Sequence, residues 1–360
     1  MKQHRLLHYY SPAMMAMLML TLLLQSCSST PQRMEYFVDN AVSAGMLWPQ
    51  LPAVPRYRYA GQLIGEQNFT DADSAEPGFF SVLLNWITGL GSDKAKLQSL
   101  VRPQSGMVSN STIYVTDAGR AAVFAFDTRN ATLRVMQQAD DSAVFISPVG
   151  IAAGDNGTLL VTDSELKRVV ILTAEGEPLG SFGQDSLQRP TGVARDMQSG
   201  LTYVVDTAEH NIKLFDSQWQ LLRTIGRHGS APGEFNAPTH ISLRDNKLYV
   251  TDTFNARVQV LDTQGKYLSS IGQRGLYVGN LTRPKGVTVD HAGNVYIVES
   301  YYDHLLVFNS KGEYLLPIGG SGNAIGQFFL PAGAWTDDNG KIYIADMYNA
   351  RVMIFQALGG

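Results

Sequence analysis

A single cysteine, Cys27, stands in 360 residues, so no disulfide can form within the chain. Charge is sparse at 17%, with 28 Lys and Arg against 32 Asp and Glu, a net of -4. A general nucleic-acid binder needs a basic face to displace counterions from phosphates, and this balance argues against one. No apolar run reaches the ~20 residues of a membrane-spanning helix. Helical spacing is missing from the C-terminal two thirds of the chain, which excludes a sheet of parallel strands joined by helices. What is present suits a packed core: 44% of residues are hydrophobic, with 34 glycines available for turns. The chain is long for one small domain and suits one large repeat domain.

The N-terminus reads as a leader. Lys2 and Arg5 precede the apolar run Ala13–Leu24, AMMAMLMLTLLL. Such a run is right for a signal-peptide core, which needs about 7–15 apolar residues. Leu24-Gln25-Ser26-Cys27 follows. This resembles the lipobox of bacterial lipoproteins, and it implies cleavage after residue 26, lipidation of Cys27 and a membrane partnership through that anchor. Gln25 is a less usual residue for its slot. Ser28, rather than Asp, implies an outer-membrane lipoprotein facing the periplasm, with surface exposure left open. Residues 27–54 then form a lipidated tether. In it Met34, Phe37, Val38, Ala41 and Val42 fall at helical spacing.

Two markers recur downstream. A proline leads into a short strand at Pro103, Pro148, Pro190, Pro238, Pro284 and Pro331, with gaps of 45, 42, 48, 46 and 47 residues. An acid ends the next strand at Asp117, Asp163, Asp206, Asp252, Glu299 and Asp346, with gaps of 46, 43, 46, 47 and 47. Between markers the fifth unit reads GVTVD, turn, VYIVES, turn, HLLVFN, turn, YLLPIG. Four short strands in a period of roughly 45 residues make the blade of a β-propeller. The fold expected is all-β: six four-stranded blades over residues 55–360.

The units resemble the NHL-repeat family of propellers. The resemblance lies in Pro238, Leu248-Tyr249-Val250, Asp252, Asn255, Arg257, Val258 and Gly272. It recurs in Pro331, Ile342-Tyr343-Ile344, Asp346, Asn349, Arg351 and Val352. The linkers Gly229–Pro238 and Gly320–Pro331 carry the family's Gly-x-Phe-x-x-Pro signature; the first and third units are degenerate. The sixth unit ends after Arg351–Gln356 without a fourth strand, and an open ring would expose an unpaired edge. Arg56–Gly65 ends in Leu-Ile-Gly like the other outer strands, so it is expected to pair there and close the ring. Residues 66–100 read as a helical insertion built on Phe79–Leu90, which is apolar nearly all round.

Candidate chemistry is thin. Six-bladed lyases similar to this chain hold zinc on histidines that follow the blade-opening prolines. Here those places hold Gln104, Val149, Thr191, Thr239, Lys285 and Ala332, so no zinc set, no other metal and no cofactor is expected. Lactonase-type propellers bind calcium with Asp and Asn of the channel. The analogous Asn110, Asp155, Asp196, Asp245, Asp290 and Asp337 or Asp338 sit where turn geometry alone calls for such residues. No nucleophile elbow is present and no catalytic residue is assigned.

Two functions stay open. One is a lipid-anchored binding or scaffold module for an envelope partner or ligand; the other is a propeller enzyme of the lyase or lactonase type with a site at the central channel. For the first, the residue before the opening proline is Arg in alternate blades: Arg102, Arg189 and Arg283. With Lys285 and His240 they form a candidate site for an anionic ligand or an acidic protein partner. The competing reading ties each Arg to an acid of its own.

Overall fold

The computed structural model describes residues 32–36, 46–71 and 98–358. They form a six-bladed β-propeller of antiparallel sheets, almost entirely β. The first blade comprises Pro103–Ser109, Thr112–Asp117, Ala122–Asp127 and Thr132–Met136, in that order from the channel outward. The second to fifth blades repeat this plan from Pro148, Pro190, Pro238 and Pro284.

The two sequence markers are partners across the first pair of strands. Pro103 faces Asp117, Pro148 faces Asp163, Pro190 faces Asp206, Pro238 faces Asp252 and Pro284 faces Glu299. In all five the register then shifts by a bulge. Proline has no N–H to give a ladder, so the first position of a strand beside a bulge suits it.

The sixth blade is made from both ends of the chain. Ala334–Thr336, Lys341–Asp346 and Arg351–Ala357 are continued by Tyr57–Leu63, which pairs antiparallel with the last of them. The expected closing strand is therefore present. Its alternation is the reason it docks: Tyr57, Tyr59 and Leu63 are buried, and Arg58 faces water. Each such side chain contributes on the order of 1.5–3 kcal/mol by burial. Leu47–Trp48 adds a fifth strand, with Trp48 edge-on to Phe355 at 5.2 Å.

The tether departs from its helical spacing at the one place described. Met34 stands in the strand Gln32–Met34, paired with Phe69–Asp71, and packs against the core between the first and sixth blades. The sheet edge captures it where local spacing suggested a helix. The span 66–100 opens with a short 3-10 turn, Glu66–Asn68, and that strand. Its apolar stretch Phe79–Leu90, like Cys27 and the leader, lies outside the described residues.

Antiparallel order sorts the loops by face. The blade-opening prolines, the linkers between blades and the turns after the marker acids lie on one face. The first hairpins lie on the other. On that far face Asp196 accepts from Gln198 N and Ser199 Oγ, and Asp290 from Asn294 and Tyr296. Asp337 accepts from Asn339 N, Lys341 N and Tyr343 Oη. These acids are engaged as turn residues. Among the described residues no group of three or more His, Cys, Asp or Glu is placed to hold a metal ion.

Candidate functional site: the mouth at the blade-opening prolines

The marker acids build this mouth. All six are buried. Asp117 accepts from Val101 N and Arg102 N, which precede its proline, and from Gly119 N and Arg120 N in the following turn. Asp163, Asp206 and Glu299 do the same in their blades. Backbone amides therefore saturate these carboxylates.

The residue after the acid stitches blades together. Ser164 donates to Pro190 O at 2.6 Å, Thr207 to Pro238 O at 2.6 Å and Thr253 to Pro284 O at 2.9 Å. Pro190, Pro238 and Pro284 are thus each held by their own blade and by the one before it.

Below the prolines the inner strands converge. The second residue after the proline is Ser105, Gly150, Gly192, His240, Gly286 or Gly333. A Cβ on Gly150 would fall 2.2 Å from Thr191 O, and one on Gly333 2.2 Å from Gln104 O. Backbone approach this close requires glycine. His240 is the one large side chain in this ring.

His240 lies at the junction of two cavities. One, of about 220 Å³, runs down the channel between the inner strands and reaches Trp335. The other, of about 470 Å³, is the mouth itself. Both His240 ring nitrogens are buried without a hydrogen-bond partner. Burial, seconded by the Lys285 charge, pushes its pKa down to about 3, with the Gln104 carbonyl pulling weakly the other way, so the ring is neutral.

The mouth cavity gathers Arg102, Arg189, Lys285 and His240, four of the five residues expected there. Arg283 stands beside them, its Nε 3.4 Å from Ser300 Oγ, but does not line the cavity. None of the three arginines forms an ion pair among the described residues. The acids beneath them are occupied by amides, which explains why the reading that tied each Arg to an acid of its own is not met. Burial, with Arg283 second, holds the Lys285 pKa down. Among the described residues no carboxylate lines this cavity.

The sequence reading missed Gln104, the hydroxyls of Ser164, Thr191, Thr207 and Thr239, and Tyr348, all of which line the mouth. The signal was legible: these are the residues that follow the two markers.

A family described as a 6-bladed beta-propeller, DUF5128, matches residues 282–360. No curated protein matches the chain. Among solved structures, virginiamycin B lyase from Staphylococcus aureus shares 13% identity over 72% of this chain and 96% of its own, with a TM-score of 0.52. An auxiliary nutrient binding protein from Bacteroides thetaiotaomicron shares 12% over 71% of this chain and 68% of its own, with a TM-score of 0.55. A protein of unknown function from the same organism shares 16% over 74% and 72%, with a TM-score of 0.58. At these identities the likeness is one of fold alone.

Proposed function

We propose that the chain is an envelope lipoprotein of the NHL propeller type, anchored through Cys27, that binds an anionic group of a ligand or partner at this mouth. One observation carries the reading: in a protein of net charge -4, Arg102, Arg189 and Lys285 line a cavity of about 470 Å³ that no carboxylate among the described residues lines. A carboxylate or phosphate entering it meets two guanidiniums suited to bidentate contact and a half-buried ammonium. Similar folds serve a lyase and nutrient-binding proteins, so the ligand class is read from this chain's own side chains. The linker signatures and the Asp-Asn-Arg sets of the fourth and sixth blades support the NHL type. The ordered leader ending at Cys27 supports the anchor.

The test is titration of the protein with phosphate, citrate and glutamate, followed by calorimetry and thermal shift. Binding of at least one, weakened by salt and by Arg102→Ala or Arg189→Ala, supports the reading. Unchanged binding in both variants sinks it. Cell fractionation of Cys27→Ala tests the anchor separately: retention in the membrane pellet argues against lipidation.

A further inference from the structure

The mouth face is not sixfold alike. The second residue after the marker acid is Gly119, Glu165 and Ala208 in the first three blades, but Phe254, Tyr301 and Tyr348 in the last three. These aromatics are 59%, 57% and 55% exposed. They stand on consecutive blades, so they form an arc around half of the mouth, and Tyr348 reaches the cavity itself. Two are braced edge-on: Tyr301 against Tyr302 at 4.8 Å, and Tyr348 against Phe329 at 5.4 Å. The linker between the fourth and fifth blades adds Leu276 and Tyr277, 79% and 83% exposed, and Val278. Arg274 ties this linker to the arc through Phe254 O at 2.5 Å.

We infer that this arc docks a protein segment whose apolar side chains rest on Phe254, Tyr301 and Tyr348 while an adjacent Asp or Glu enters the mouth. Exposed large apolar side chains gathered on one face mark an interaction site. Braced aromatics beside arginines are the composition of protein-binding hot spots, because they bury large area at small entropic cost. Phe254, Phe329, Leu276 and Val278 carry no side-chain polar atom, which suits the apolar side chains of a protein segment. Arg274, Arg283 and Lys285 flank the arc, and Arg274 and Arg283 make no ion pair among the described residues, so the complementary segment is acidic. The sign of the partner's charge rests on the anion-binding reading of the mouth; the arc does not.

The test places a photo-cross-linking amino acid at Tyr301 or Tyr348 in the full-length protein, in the cells that naturally make it. Met197, 55% exposed in a first hairpin of the opposite face, is the control. The expected result is one protein adduct at both arc positions and none at Met197. The cross-linked peptide, sequenced, carries Asp or Glu beside apolar residues. Phe254→Ser lowers the Tyr348 adduct by roughly fivefold or more with an unchanged melting temperature. The inference is overturned by no adduct at the arc, by the same adduct at Met197, by a glycan adduct, or by a peptide without an acid. If small anions fail to bind the mouth while the acidic adduct forms, the small-anion reading falls and this one stands.

Discussion

The fourth and sixth blades hold their opening loops differently from the first three. In the first three the acid takes two linker amides and the turn amides after it. In the fourth, Asp252 takes a single linker amide, Asn236 N at 2.6 Å, and turns its other oxygen to Asn255, Arg257 and Gln259. Arg257 then reaches the carbonyls of Ala231 and Glu234 in the linker. Asp346, Asn349 and Arg351 repeat this against Phe329 N, Ala324 O and Gln327 O. The displaced amides pass to the preceding blade: Ala237 N donates to His210 Nδ1 at 2.8 Å, and Leu330 N to Asp303 Oδ1 at 2.7 Å. Ala237 and Leu330 take positive φ to do so. One acid position thus solves two problems. In one kind of blade amides alone hold the linker; in the other an arginine ties the linker carbonyls as well.

The largest break in this comparison comes from the sixth blade, because only it depends on both ends of the chain. Deleting 57–63 exposes the edge of Arg351–Ala357 and removes Tyr57, Tyr59 and Leu63 from the core. Loss of cooperative melting and aggregation are expected. A deletion variant that melts cooperatively at the parent temperature contradicts the closure.

Next come the acids themselves. Asp252→Asn strands the Arg257 guanidinium, and a loss of about 3 kcal/mol is expected, since removing one partner of a buried pair leaves an uncompensated charge. Asp206→Asn keeps one amide acceptor and strands no cation, so about 1–2 kcal/mol is expected. Urea midpoints of the two variants decide it: equal losses erase the distinction between the two kinds of blade. In the sixth blade burial raises the Asp346 pKa in spite of Arg351 2.8 Å away.

His240 separates the fourth blade from the others at the waist of the channel. Its folded pKa, about 3, lies below the ordinary 6.5, so the unfolded chain binds the extra proton first. Its contribution is therefore complete above about pH 6.5 and is lost as pH falls towards 3, on the order of a few kcal/mol. His240→Asn should flatten the stability profile in that window. A profile as steep as the parent's places the acid sensitivity elsewhere.

The smallest effects belong to the arginines. Arg102→Ala and Arg189→Ala touch exposed side chains without acid partners, so melting should stay within about 0.5 kcal/mol of the parent while anion binding weakens. Lost stability with binding intact would leave these residues a structural role only.

The repeat was legible because its two markers are local necessities. Proline opens a strand, and a short acid binds the amides around it, so both recur wherever the backbone repeats. The closing strand was legible from its Leu-Ile-Gly ending and from the missing fourth strand of the last unit. Composition and spacing thereby determined the fold, the blade number and the positions that open each blade. Other features belong to neighbours in space. Met34 is a strand residue because a sheet edge at Phe69–Asp71 takes it, and nothing within its own window says so. His240 is neutral because inner strands of other blades enclose it. The arginines stay free of acids because amides from their own linkers reached those carboxylates first. Burial and the identity of hydrogen-bond partners are set by chains that meet across tens to hundreds of residues, which is why only the tertiary structure decided them.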